Sequence, residues 1–290
     1  MNKDPKYTGE FPAIYYRTFG NKDNPCIILI MGLGGQLIHW PKELIEGLSN
    51  NEFYVVIFDN RDVGLSQRYD YLVGSQQFNK LLPSYTLENM ATDVIVLMDR
   101  LHIKNAHMVG LSLGGMVAQI ISILYPERIL SLICISTSSS DPGLPAMKQE
   151  VLEYLVSPKR LTEGLEEYLA NKIQIYKIVN HTKNIPSNDI LRAIYIDTYK
   201  RSHYPLGIQR QLLALINAKP RGDELKKLQI PSLIIHGDYD VVFPIEHAKQ
   251  LANCLPNCRL EIIPELGHGL PVRLCSVIID LIRKFCADAG

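Results

Sequence analysis

Short apolar runs, each closed by a turn and followed by a longer stretch of helical periodicity, recur along this chain and leave room for few folds. Such runs stand at residues 14–18, 26–31, 53–58, 106–110, 129–136, 232–236 and 259–263, with helical patterns at 42–48, 87–101, 114–125, 245–255 and 271–287. Apolar runs of five to eight residues alternating with helices predict βαβ units, hence an α/β fold on a mostly parallel sheet. Thr86, with Asn89 three residues on and Glu88 in the first turn, marks a helix start and suits the helix dipole. Pro244 and Pro271 are placed to open the last two helices, where a missing N–H costs nothing.

The alternation stops after Ser140. From 141 to 221 there are only helical segments rich in Leu, Ile and Tyr, broken by Pro and Asn. The expected organisation is a core over 1–140 and 222–290 with an inserted helical lid over 141–221. A long insertion at a surface loop costs little closure entropy, and such segments often shape substrate pockets.

Chemistry enters at Gly110-Leu111-Ser112-Leu113-Gly114, a G-x-S-x-G placed directly after a strand pattern and directly before a helical one. A strand turning sharply into a helix strains the serine and carries its hydroxyl to the tip, while the new helix aims free N–H groups at the same spot. An ordinary glycine-rich turn is the alternative; the strand-to-helix setting favours the nucleophile. Serine is a poor nucleophile without a base held close and a third group to orient that base.

The order that accompanies this motif is serine, acid, histidine, with the last two in loops after later strands. After 232–236 come two acids, Asp238 and Asp240. Asp240, further from the strand end, is preferred as the orienting acid; Asp238 is better placed to accept from turn amides. After 259–263 comes Gly267-His268-Gly269, and His268 is the candidate base. His102 and His107 sit before the nucleophile on the face away from it, His247 on a helix, and His181 in the lid; His236 is expected to pack beneath the acid loop.

Acyl transfer also needs N–H donors aimed at a developing oxyanion. Leu113 supplies one, and Leu33 in Met31-Gly32-Leu33-Gly34-Gly35-Gln36 is chosen for the other. That glycine cluster lacks the Lys-Ser or Lys-Thr of a phosphate loop and does not match G-x-G-x-x-G. Gly34, His39, Trp40 and His203 are weaker candidates for substrate contact. Trp40 could equally pack the following helix, and His203 could be purely structural. In Asp59-Asn60-Arg61-Asp62 a structural turn is preferred over a substrate site.

Three stretches, M-G-L-G-G, G-L-S-L-G-G, and H-G-D-Y-D-V-V-F-P followed by G-H-G, make the whole chain resemble the α/β-hydrolase family. G-L-G-G-Q-L-I-H-W-P and F-D-N-R-D-V-G-L-S are similar to the aclacinomycin methylesterase-like hydrolases. The resemblance implies an α/β-hydrolase fold: a mostly parallel eight-stranded sheet flanked by helices, a helical cap, and ester hydrolysis through an acyl-enzyme. One departure is that Met31 stands where many relatives carry His, which removes a hydrogen bond to the loop but no backbone donor.

Thirty basic and thirty acidic side chains cancel, and neither sign forms a block, so no nucleic acid or membrane partner is expected. The longest apolar runs fall far short of the ~20 residues that span a bilayer. Met1–Glu10 has no basic stretch leading into an apolar run, and a cytoplasmic location is expected. The six cysteines lie mostly in apolar segments; Cys254 and Cys258 lack the further ligands of a metal site. The expected activity is a serine esterase acting on a small carboxylic ester, perhydrolase, acyltransferase, proline iminopeptidase and C–C hydrolase chemistry being the enzyme alternatives. A non-catalytic small-ligand receptor is the alternative of another class. No metal or cofactor is needed, and the oligomeric state is not determined at this level.

Overall fold

The computed structural model describes residues 6–7, 13–70 and 83–289; of Met1–Glu10 only Lys6 and Tyr7 fall within them. The strands are β1 (Lys6–Tyr7), β2 (Tyr15–Phe19), β3 (Cys26–Ile30), β4 (Tyr54–Phe58), β5 (Ala106–Leu111), β6 (Ile129–Ile135), β7 (Ser232–Gly237) and β8 (Cys258–Ile263). They form one eight-stranded sheet in the order β1-β2-β4-β3-β5-β6-β7-β8. β1 and β2 pair antiparallel, and every pairing from β3 with β4 through β7 with β8 is parallel. All seven strands expected from the sequence are present. β1 is too short to have announced itself by periodicity.

Parallel strands need helices on both faces, and the apolar runs supply residues for both. Ile28 and Ile30 of β3 pack one way with α2 (Leu87–Arg100), α3 (Leu113–Leu124) and α9 (Ile245–Cys254). Ile27 and Leu29 pack the other way against α1 (Lys42–Asn50) and α10 (Cys275–Ala289). All four are fully buried, and removing such a side chain to Ala costs about 2–5 kcal/mol. Thr86 and Asn89 cap α2 reciprocally, each side chain taking the other's backbone N–H. Pro244 is the cap of α9 rather than its first turn. The last helix corrects its expected start: Pro271 stays extended at ψ 139°, a 3-10 turn covers Val272–Leu274, and α10 begins at Cys275.

Between β6 and β7 the described chain has no strand. It runs through α4 (Gln149–Val156), α5 (Leu165–Val179), α6 (Asn188–Arg201), α7 (Pro205–Ile216) and the short α8 (Gly222–Leu225). Its two ends meet, because the Gly222 N–H donates to Asp141 Oδ1 at 3.1 Å. Buried Arg221 closes the junction by donating to Gln119 Oε1 and the Ser138 carbonyl, both at 3.0 Å. Among the described residues no helix is long and apolar enough to cross a membrane.

Candidate active site

Ser112 is the single residue between β5 and α3. Its backbone sits at φ 55°, ψ −120°, a region that costs a non-glycine residue on the order of 1–3 kcal/mol and persists only where the surroundings impose it. They do so here. The Ser112 N–H donates to the Ile135 carbonyl at 2.9 Å, and its own carbonyl accepts from Thr137 Oγ1 at 2.6 Å and from the Gly115 N–H at 2.9 Å. A Cβ on Gly110 would lie 2.2 Å from the Gly114 carbonyl oxygen, and one on Gly114 would lie 1.9 Å from that of Ile30. Both glycines of G-x-S-x-G are therefore packing requirements of this turn.

Loops at the carboxyl ends of the parallel strands bring the other groups to the same edge, where open α/β sheets present ligand sites. His268, after β8, accepts the Ser112 hydroxyl at Nε2, 2.8 Å away, and donates from Nδ1 to Asp240 Oδ2 at 2.9 Å. Asp240, after β7, is buried, and its Oδ1 accepts the amides of Val242 and Phe243 at 2.8 and 2.9 Å. Burial works to raise the Asp240 carboxyl, but the His268 and His236 rings and these hydrogen bonds outweigh it and hold it below the usual carboxylate value. Asp238 turns away, accepting the Glu265 N–H at 2.7 Å. His236 lies under the acid loop, 2.8 Å from the Phe243 carbonyl. Burial is the largest influence on its pKa and pulls it below the ordinary value, against the opposing pull of Asp240.

Of the two residues chosen for an oxyanion, Leu113 directly follows Ser112 and Leu33 lines the same cavity as Ser112. Leu113 is the first residue of α3, where an N–H has no acceptor within the helix. In the loop after β3 the amides of Gly34, Gly35, Gln36 and Leu37 are all engaged, by Gln211 Oε1, the Gly32 carbonyl, His39 Nδ1 and Asp59 Oδ1. The Leu33 N–H meets no protein acceptor among the described residues. A Cβ on Gly32 would lie 3.2 Å from that of Ser112, so this loop runs against the serine.

Above these groups is a cavity of about 250 Å³. The core contributes Met31, Leu33, Leu111, Val242 and Phe243 to its wall. The helical segment contributes Met147, Val151 and Leu155 around α4, Ile175 and Val179 on α5, and Leu212 and Leu215 on α7. Among the described residues no Asp, Glu, Lys or Arg lines it. A larger, open cleft near Lys22, Glu52 and Lys104 lies at the other end of the strands, away from Ser112.

The four weaker binding candidates lie outside this wall. Gly34 is spent on Gln211 and on close approach to Ile208, 3.0 Å from where a Cβ would be. His39 Nε2 is 2.9 Å from Thr198 Oγ1, its other nitrogen taken by Gln36. Trp40 is buried in the cluster with α1 and α10. His203 stacks on Tyr199 with ring centroids 4.2 Å apart.

Contacts that local sequence could not reveal hold the helical segment to the site. Val179 at the end of α5 accepts the His268 backbone N–H at 2.9 Å, and a Cβ on Gly267 would meet that carbonyl oxygen at 2.3 Å. Buried Asp59 receives Arg201 of α6 at 2.6 Å, and buried Asp62 takes a two-pronged bond from Arg210 of α7 at 2.7 and 2.8 Å. Arg61 pairs with Asp93 of α2 at 2.6 Å on both of its bonds. The Asp59–Asp62 cluster is thus structural, and it is the seat on which the helical segment is clamped.

A family model described as the alpha/beta hydrolase fold matches residues 25–163. Rhodomycin D methylesterase DnrP of Streptomyces peucetius is 25% identical, covering 97% of this chain and 96% of that protein. The enol-lactonase from Burkholderia xenovorans LB400 superposes with a TM-score of 0.79 at 22% identity, over 97% of this chain and 100% of that one. A 2-hydroxy-6-oxo-6-phenylhexa-2,4-dienoate hydrolase from Rhodococcus sp. strain RHA1 gives a TM-score of 0.77 at 16% identity, over 97% and 98%.

Proposed function

This chain has the α/β-hydrolase fold and resembles hydrolases over nearly its whole length, and from that premise we propose that it is a serine esterase cleaving neutral, apolar carboxylic esters. The observation that carries the reading is the continuous line of hydrogen bonds from Ser112 through His268 to Asp240, opening on a cavity lined by no Asp, Glu, Lys or Arg among the described residues. His268 takes the Ser112 proton as the oxygen attacks the ester carbonyl, and Asp240 fixes the ring with Nδ1 protonated and stabilises the imidazolium. The amides of Leu33 and Leu113 receive the oxyanion. His268 then protonates the leaving alcohol, giving an acyl-enzyme, and activates the water that hydrolyses it.

Charge on the wall separates the ester reading from its rivals. A dienoate, the substrate class named for the Rhodococcus relative, carries a carboxylate, and desolvating it without a cation costs several kcal/mol. A free N-terminal amine would need an acid, and none lines the cavity among the described residues. Methyl and other simple esters meet no such penalty, consistent with the methylesterase relative. Hydrolysis of p-nitrophenyl esters by wild type and by Ser112→Ala tests this. Turnover that falls at least about 1000-fold with the serine removed is expected; equal rates, or a preference for anionic substrates, would sink the reading.

A further inference from the structure

The cavity above Ser112 shares two of its wall residues with a neighbouring cleft. Leu155 of α4 and Leu212 of α7 also wall a second cleft of about 150 Å³, lined further out by Val156, Leu161, Leu213 and Ile216. The two spaces therefore have one pair of leucines in common. The outer one reaches the surface, where Val156 and Ile216 are each 54% exposed. Large apolar residues grouped at a cleft mouth mark a binding surface more often than scattered ones do, and nothing in the proposed bond chemistry uses these.

We infer that the outer cleft is a second acyl subsite: the acyl chain of the substrate runs from the ester carbonyl at Ser112 through the first cavity, past Leu155 and Leu212, and ends between α4 and α7. The inference rests on the esterase reading and adds the substrate class, a neutral ester of a straight acyl chain longer than the first cavity holds. At roughly 30 Å³ for each water-sized group, a volume of about 250 Å³ takes about eight carbons, and about 150 Å³ takes about five more. The partition is two leucines that open by a change of staggered rotamer, with no backbone break. In the first cavity each added methylene strengthens binding by about fourfold at most. The gain is smaller in the outer cleft, whose wall includes Ser157, Arg160 and Gln209.

The subsite is tested on binding as well as turnover. Calorimetry of straight-chain methyl esters of four to twelve carbons with Ser112→Ala should show the twelve-carbon ester binding tenfold or more tighter than the eight-carbon one. Leu213→Trp, which fills the cleft, should bring that ratio close to one. Val156→Asp, a surface change that leaves the fold standing, should do the same by charging the mouth. An affinity that levels off at about eight carbons, or a ratio that survives both substitutions, overturns the inference. If the ratio behaves as expected but the wild type hydrolyses no member of the series, the subsite stands and the esterase reading falls.

Discussion

The two halves of the cavity wall are built by different means. On the core side Ser112, Asp240 and His268 stand in short loops tied by hydrogen bonds to the neighbouring strands and turns, and Ser112 is pinned at a positive φ. On the other side the wall is apolar side chains on α4, α5 and α7, whose far faces meet water at Leu152, Val156 and Ile216. The reacting geometry is over-determined, whereas the shape of the cavity depends on side-chain volumes that can change one at a time. On the proposed esterase function, such a division would let the core keep its chemistry while the helical segment sets which acyl group fits. Between the halves runs a seam of buried polar contacts at Asp59, Asp62, Gln36 and His39.

The largest effect belongs to the core half: Ser112→Ala should lose at least about 1000-fold in kcat, about 4 kcal/mol of transition-state stabilisation, with the melting temperature little changed. A small kinetic loss there would mean that the pinned geometry is not the reacting one.

At the seam, Arg210→Met leaves Asp62 buried and unpaired, and should cost about 3–5 kcal/mol in urea unfolding. If the helical segment is clamped as described, KM rises as well, while labelling of Ser112 by a fluorophosphonate persists. Unchanged stability would mean that the clamp is idle.

The pH dependence of folding probes the same seam. Burial first, then Lys172 and Arg201, push the His39 pKa down to about 3. From about pH 6.5 downward the unfolded chain binds a proton there that the native state refuses. Stability from this group is complete above about pH 6.5, and falls by about 1.4 kcal/mol per pH unit as acid is added. His39→Gln should therefore flatten the loss of stability between pH 6 and pH 4. Equal slopes would show that the ring is protonated in the native state, with the seam open.

The smallest effect is expected within the helical segment: Arg192→Ala breaks an exposed pair with Glu166 and should cost less than about 1 kcal/mol. A loss comparable to that of Arg210→Met would erase the distinction between seam and surface.

The reacting groups were legible because each depends on near neighbours in the chain. A serine between two glycines, after an apolar run and before a helix, has few conformations open to it, and the loop order then leads to Asp240 and His268. The choice of Asp240 over Asp238 followed from position in one loop, but the amide that takes Asp238 is that of Glu265, 27 residues away after β8, a partner only the fold supplies. The weaker binding candidates fared differently. Gly34, His39 and Trp40 follow β3 in the chain and His203 lies in the helical segment, yet their side chains or amides are taken by Gln211, Thr198, the α1 cluster and Tyr199.

By itself the sequence determined the α/β class, the strands that carry the candidate site and the elbow, and it singled out Ser112, Asp240 and His268, which the structure brings within hydrogen-bond distance of one another. Strand and turn preferences act over a few residues, so the chain states them locally. Only the tertiary structure decided that Arg201 and Arg210 close on Asp59 and Asp62, partners 142 and 148 residues away, that Val179 holds the His268 loop, and that leucines on α4 and α7 line two cavities in common. Those contacts join elements with no short-range signal between them, and their energy exists only once burial has removed water from both partners.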